Sequence, residues 1–214
     1  MDLIISLFKS NEQALEILGR AWEILYIEGS SPDVGKRREH FFRLLLEKEF
    51  NLKVIPTPPT AKEVDFYIET NKGKIGYSLK TTEGISTIKL SWDSFPGLSK
   101  EEILKKAEKY PFTCPIVYVQ GDRKRKKIAI YIFEPEDVEL AKIECKNFWW
   151  IPKTGTNPRG YGISSRGVRF LIDMAKKKEN YVEKKYIPPN VEMLKDEYWA
   201  KWYSLIKELA LRSH

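Results

Sequence analysis

The stretch VDFYIETNKGKIGYSLKTT, residues 64–82, decides how this chain is read. Strand side chains alternate between faces, so parity sorts them. In the first run Val64, Phe66 and Ile68 share one face, and Asp65, Tyr67 and Glu69 the other. In the second, Ile75, Tyr77 and Leu79 are apolar, while Gly76, Ser78 and Lys80 are not. The segment TNKGK between them carries a glycine of the kind that closes a hairpin. With the polar faces on one side, Asp65 and Lys80 approach each other across the sheet. An isolated Asp–Lys pair is ordinarily a surface ion pair worth at most ~1 kcal/mol. A site for a hard cation such as Mg²⁺ needs more oxygen ligands, commonly a second carboxylate.

Glu69 shares the face of Asp65 but lies ~13 Å along the strand, too far to share an ion. Glu83 has the parity opposite to Lys80 if the strand stays regular. Glu63 has the right parity, ~7 Å from Asp65, at the very start of the strand. The preceding segment KRREHFFRLLLEKEF, 36–50, reads as a helix on which Glu39 aligns with Phe42, Leu46 and Phe50. Glu39 thus borders the apolar stripe, whereas Glu47 lies with Lys36, His40 and Arg43 on the solvent side. Glu49 falls nearer the stripe, in the last turn. A carboxylate at the edge of a buried stripe requires a partner, and Lys80 or a shared cation supplies one. Glu39 is therefore the leading second acid, with Glu49 and Glu63 as the alternatives.

Around this centre the chain reads as follows. An amphipathic helix covers 11–25, capped by Asn11 or Ser10. After the helix at 36–50, PTPPT ends regular structure. Strands at 64–69, 75–80 and 86–92 form a meander. SKEEILKKAEKY, 99–110, carries a Ser cap with Glu three residues on, the capping-box pattern. Strands at 115–120 and 128–134 flank the turn GDRKRKK, and helices are expected near 165–183 and 191–212. Within the latter pair, EKK at 183–185 reads as a solvated helical charge run. The order predicts one α/β domain over 1–214, in which a mixed central sheet is flanked by helices and the later strands join the meander from its other side.

Hydrophobic residues make up 42% of the 214 residues and aromatics 13%, enough for a packed core. The net charge of +7 points to a polyanionic partner or an acidic membrane surface. No apolar run approaches the ~20 residues needed to span a bilayer. MDLIISLF lacks the basic and cleavage regions of a signal peptide, so a cytoplasmic location is expected. Cys114 and Cys145 stand far apart and read as buried small hydrophobes rather than a metal knuckle or disulfide. With His40 and His214 the two histidines, multi-histidine zinc sites are excluded, and a Ser-His-Asp triad would have to rest on His40.

The helix with its inward Glu, the hairpin carrying Asp65 and then Ser78-Leu79-Lys80, the next helix and two more strands together resemble the PD-(D/E)xK nuclease superfamily. The similarity is greatest to type II restriction endonucleases. It covers a core of about 36–134, followed by a C-terminal extension over about 149–214. It implies Asp65 and Glu39 as Mg²⁺ ligands, joined by the carbonyl of Leu79, and Lys80 as the catalytic lysine that orients or activates water. Ser78 stands at the motif's acidic position, a substitution that some members offset with a helical Glu. Asp65 is not preceded by Pro, and the literal Pro32-Asp33 is read as a decoy on the approach to the helix.

The resemblance further implies double-stranded DNA as substrate, a homodimer cutting a short palindrome, and a cognate DNA methyltransferase in the same system. Candidate DNA contacts are Arg123, Lys124 and Arg125 on the hairpin tip. Lys153, Arg159, Arg166 and Arg169 lie in a Gly-, Ser- and Thr-rich segment whose backbone can approach phosphates. Trp149 and Trp150, and the stripe Tyr198, Trp199, Trp202 and Tyr203, read as packing or subunit-interface aromatics. A repair or junction-resolving nuclease of the same core is the nearer alternative. A non-catalytic nucleic-acid-binding protein is the more distant one.

Overall fold

A computed structural model describes residues 1–26, 34–58, 63–153, 159–192, 197, 200, 201, 203 and 204. Three helices open the chain: α1 (Leu3–Ser10), α2 (Glu12–Ile24) and α3 (Val34–Phe50). Asn11 caps α2, its side chain accepting from the Ala14 amide. Strands β1 (Lys53–Pro56), β2 (Phe66–Thr70), β3 (Gly73–Glu83) and β4 (Ile88–Ser94) follow, then α4 (Lys100–Glu108). On α4 Ser99 and Glu102 close the capping box reciprocally, as their spacing predicts. The remainder is β5 (Ile116–Asp122), β6 (Lys127–Phe133), α5 (Pro135–Glu144), β7 (Trp149–Trp150), β8 (Arg159–Ile163), α6 (Ser165–Lys177) and β9 (Tyr181–Lys185).

The strands form a six-stranded mixed sheet in the order β1-β2-β3-β5-β6-β9 and a three-stranded sheet in the order β4-β8-β7. β5 and β6 are near-continuous apolar runs because both of their faces are covered. Val117, Val119, Ile128, Ile130 and Ile132 face α1–α3, where they meet Phe8, Leu18, Trp22, Phe42 and Leu46. Ile116, Tyr118, Ala129, Tyr131 and Phe133 face the other way, toward α5, α6 and the small sheet, against Val138, Leu171, Ile88 and Ile163. Both cysteines are buried and unpaired, as small hydrophobes. Among the described residues no helix is long and apolar enough to cross a membrane.

The placement of β3 sets up everything that follows. Its first half pairs antiparallel with β2, ending at Phe66↔Tyr77. Its second half pairs parallel with β5, beginning at Ser78↔Ile116. At that handover β2 has ended while β3 runs on, so the β2-side edge of residues 79–83 opens beside the start of α3.

Several expectations are corrected. The strand expected at 86–92 does not continue a meander: β4 leaves the main sheet to pair with β8, some seventy residues further on, in the small sheet. A strand, β1, lies just before PTPPT and pairs with β2, and α1 and α5 add helices not anticipated. The helix expected to reach 183 stops at Lys177, with Glu179 at φ 54°, the left-handed turn that ends helices. Residues 181–185 instead form the edge strand β9, so EKK at 183–185 is not helical. There Glu183 pairs with Lys127 at 2.8 Å and Lys184 with Glu12 at 3.0 Å. Pro32-Asp33, Tyr198, Trp199 and Trp202 lie outside the described residues, as does most of the helix expected at 191–212. Tyr203 is 67% exposed.

Candidate active site

Parity in β3 explains which backbone groups meet the opened edge. The Ser78 amide donates to the Pro115 carbonyl on the β5 side, at 3.0 Å, and the Tyr77 carbonyl accepts from the Asp65 amide on the β2 side, at 2.8 Å. Alternation then turns the Leu79 amide and carbonyl toward the vacated edge. The side chain of Asp65 takes over there as acceptor. Its Oδ2 receives the Leu79 amide at 2.6 Å, the Ser78 hydroxyl at 3.1 Å and the Lys80 ammonium at 3.1 Å. Ser78, at the position where an acid was expected, donates to the carboxylate and is itself buried. All three of these donors act on Oδ2.

Glu39 joins this pair from α3. Phe42 and Leu46, four and seven residues on from Arg38 and Glu39 respectively, are fully buried in the core under β3, which draws Glu39 half out of water. Burial pushes its pKa above the usual glutamate value; the Lys80 charge offsets this, and the Asp65 charge adds to it. Glu39 thus senses both partners across the cleft. The other acids are placed elsewhere. Glu49 is exposed in the last turn of α3. Glu63 accepts from the Thr113 hydroxyl at 2.7 Å. Glu83 has the parity foreseen for it and turns to Arg38 and Arg123, at 3.1 and 3.2 Å.

The cleft itself, about 500 Å³, is lined by Glu39 and Lys80 together with Tyr26, Arg38, Thr81, Glu83 and Lys89, among others. Lys89 comes from β4, so the small sheet supplies the far wall. Among the described residues no three His, Cys, Asp or Glu side chains gather as a metal-binding group. The oxygen groups near Lys80 that could hold a cation are the Asp65 and Glu39 carboxylates and the Leu79 carbonyl on the open edge. That set is too oxygen-rich and too sparse for a closed zinc site, and it suits a cation that keeps several waters.

The expected DNA-contact residues are dispersed. Most of the basic hairpin tip is neutralised within the protein: Arg123 by Glu83, Arg125 by Asp122 at 3.6 Å, Lys126 by Glu23 at 2.7 Å and Lys127 by Glu183. Lys124 is exposed. Arg159 pairs with Ser94 in register, whereas the cleft-lining Lys89 is opposite Gly162. Along β8 that puts Arg159 three residues, ~10 Å, from the cleft end of the small sheet. Arg166 and Arg169 sit on the exposed face of α6, and Lys153 is exposed after β7. Trp149 packs on Phe148 and Phe112, and Trp150 lies 5.5 Å from the Lys89 ammonium, so both are packing aromatics at the small sheet.

Sequence reasoning passed over Arg38. It occupies the i−4 and i−7 positions relative to Phe42 and Leu45, squarely on the apolar stripe, and that is the signal that marks it.

No protein-family profile matches the chain, and no curated protein matches it. Among solved structures it is similar to a restriction endonuclease in complex with substrate DNA, with a TM-score of 0.60 and 20% identity, covering 93% of this chain and 95% of that one. The fold is therefore restriction-endonuclease-like.

Proposed function

We propose that this chain is a Mg²⁺-dependent endodeoxyribonuclease of the type II restriction class, hydrolysing phosphodiester bonds in double-stranded DNA at a specific sequence. The observation that carries the reading is the convergence of Asp65, Lys80 and Glu39 at the point where β3 changes partner. The same convergence falls within a fold shared with a solved restriction endonuclease–DNA complex.

Asp65, Glu39 and the Leu79 carbonyl are the groups that would hold the cation. Bound there, Mg²⁺ supplies charge stabilisation at the scissile phosphate and a lowered pKa for water. The protein's own contribution is positional. Asp65 holds the Lys80 ammonium by a 3.1 Å contact, so one proton donor stays directed into the cleft, where it can hydrogen-bond the attacking water or a phosphate oxygen. Removing a pair of partly buried carboxylates from mutual repulsion is work that a cation performs on binding, and it favours occupancy. The basic composition supplies the long-range attraction to DNA. A homodimer and a cognate methyltransferase complete the reading; a solution mass near one chain rather than two removes the dimer.

The test is cleavage of unmethylated phage DNA by wild type and Lys80→Ala, in Mg²⁺ and in EDTA. Discrete fragments that need Mg²⁺ and vanish in the variant are expected. Uncut DNA that is nonetheless retarded on a gel assigns the chain to non-catalytic binding instead. Fragments without discrete size shift it toward a repair or junction-resolving enzyme.

A further inference from the structure

We propose that Arg38 and Arg123 form a clamp for a phosphate of the DNA backbone beside the reactive centre, a place held by the Glu83 carboxylate in the free protein. The proposal rests on the nuclease reading for its ligand, and on separate residues for its geometry.

Glu83 Oε2 accepts from an Arg38 terminal nitrogen at 3.1 Å. Its Oε1 accepts from Arg123 twice, from the backbone amide at 3.1 Å and from Nε at 3.2 Å. Donors from two guanidinia and one backbone amide converging on two oxygens are equally suited to a phosphodiester. The arginines do not depend on Glu83 for their orientation. Arg38 lies over the Trp22 ring at 4.3 Å and Arg123 over the Tyr26 ring at 3.4 Å. Two guanidinium charges facing one carboxylate leave a surplus of positive charge.

Arg38 is the decisive residue. Its side chain is 6% exposed and lines the cleft, yet its Nε has no hydrogen-bond partner among the described residues. A buried ionic donor left unmade is costly, and a purely structural ion pair has no reason to retain one. Glu83 lies three residues beyond Lys80 on β3, ~10 Å away, the length of about three base-pair rises. A single DNA strand can therefore present one phosphate to Lys80 and another to the clamp.

The sign of one substitution separates the clamp from a structural pair. Affinity is measured by fluorescence anisotropy on a labelled duplex of about 20 base pairs, in EDTA, between about 50 and 200 mM KCl, for wild type, Glu83→Gln and Arg123→Gln. Thermal unfolding of each is recorded alongside. Glu83→Gln, which removes the competitor but keeps an acceptor for the Arg123 amide, is expected to bind about three- to tenfold tighter at low salt, with a salt slope steeper by about one. Arg123→Gln is expected to bind more weakly, with a slope shallower by about one. Glu83→Gln binding equally or more weakly overturns the clamp, and so does an unchanged slope in Arg123→Gln. A wild type that neither binds this duplex in EDTA nor cuts phage DNA in Mg²⁺ overturns the nuclease reading, and the clamp with it. Wild-type binding with unresponsive variants overturns the clamp alone.

Discussion

Asp65 closes a strand edge in this structure and is the cation ligand we propose, and paired substitutions separate the two roles. Its carboxylate closes the open edge of β3 by accepting from the Leu79 amide, the Ser78 hydroxyl and the Lys80 ammonium. In Asp65→Ala the Leu79 amide loses its acceptor where no strand replaces it, at a cost of about 1–3 kcal/mol, and the Ser78 hydroxyl adds about 1. The Lys80 pair contributes little more, because the Asp65 and Lys80 side chains are 33% and 25% exposed and solvent screens them. The sum is about 2–4 kcal/mol, which for a chain of this length lowers Tm by roughly 5–12 °C. Asp65→Asn keeps an acceptor for the Leu79 amide and is expected to lose only about 1 kcal/mol. Cleavage behaves differently. On the proposed reading both variants lose a cation ligand, so both are expected to fall by about 1,000-fold or more, several kcal/mol at 1.36 per decade. The assays are differential scanning calorimetry and single-turnover cleavage of phage DNA. Asp65→Asn cutting within tenfold of wild type refutes the ligand role, and Asp65→Ala melting with wild type refutes the account of the open edge.

Other consequences are equally direct. Glu39→Gln is expected to raise Tm of the metal-free protein at pH 8, because burial has already pushed the Glu39 pKa up and the ionised form is the disfavoured one. The penalty is present above the folded pKa and disappears below the unfolded value of about 4.5, so wild type and variant converge near pH 4. A variant that is less stable at pH 8 contradicts this. Gly162→Ala sets a Cβ 1.9 Å from the Ile88 carbonyl oxygen and 3.0 Å from the Lys89 Cα, both backbone atoms, so β4 and β8 must part. A loss of about 1–3 kcal/mol is expected, with faster amide exchange in β4. Unchanged exchange there removes the close approach.

How much of this was legible follows from the range of each interaction. Faces within 64–82 are set by alternation and a local turn, and Phe66, Ile68, Tyr77 and Leu79 are indeed fully buried. Glu39 was legible for the same reason, since helical period and two fully buried neighbours place it. β4 was misassigned because its partner β8 lies far along the chain, and nothing within 86–92 says which sheet it joins. The end of α6 was missed because a left-handed Glu179 leaves no glycine to read, and the Lys-rich run on both sides of it is as acceptable to a helix as to an edge strand. The hairpin tip shows the limit of counting charge. Five basic residues in a row look like a polyanion site, yet Arg125 pairs with its neighbour Asp122, and Lys126 and Lys127 with Glu23 of α2 and Glu183 of β9, which only folding brings near.

The candidate site stands where it does because a sheet that exchanges partners in mid-strand leaves backbone donors that must be met. β5 takes up Ser78 and the even-numbered residues beyond it, but the odd-numbered edge has no strand, and a carboxylate is the compact acceptor that fills the gap. A carboxylate there draws a lysine from the next position. The α3 stripe that covers the core under β3 brings Glu39 to the same opening. Each step is required by packing or hydrogen bonding before any chemistry is considered. The result is two acids near one ammonium. If a hard cation binds there, as proposed, its binding is expected to stabilise the protein in the absence of DNA. Titration with Mg²⁺ should stabilise wild type by RT ln(1 + [L]/Kd), read as a rise in Tm, and leave Asp65→Asn unmoved. Equal shifts in the two proteins would place the cation elsewhere.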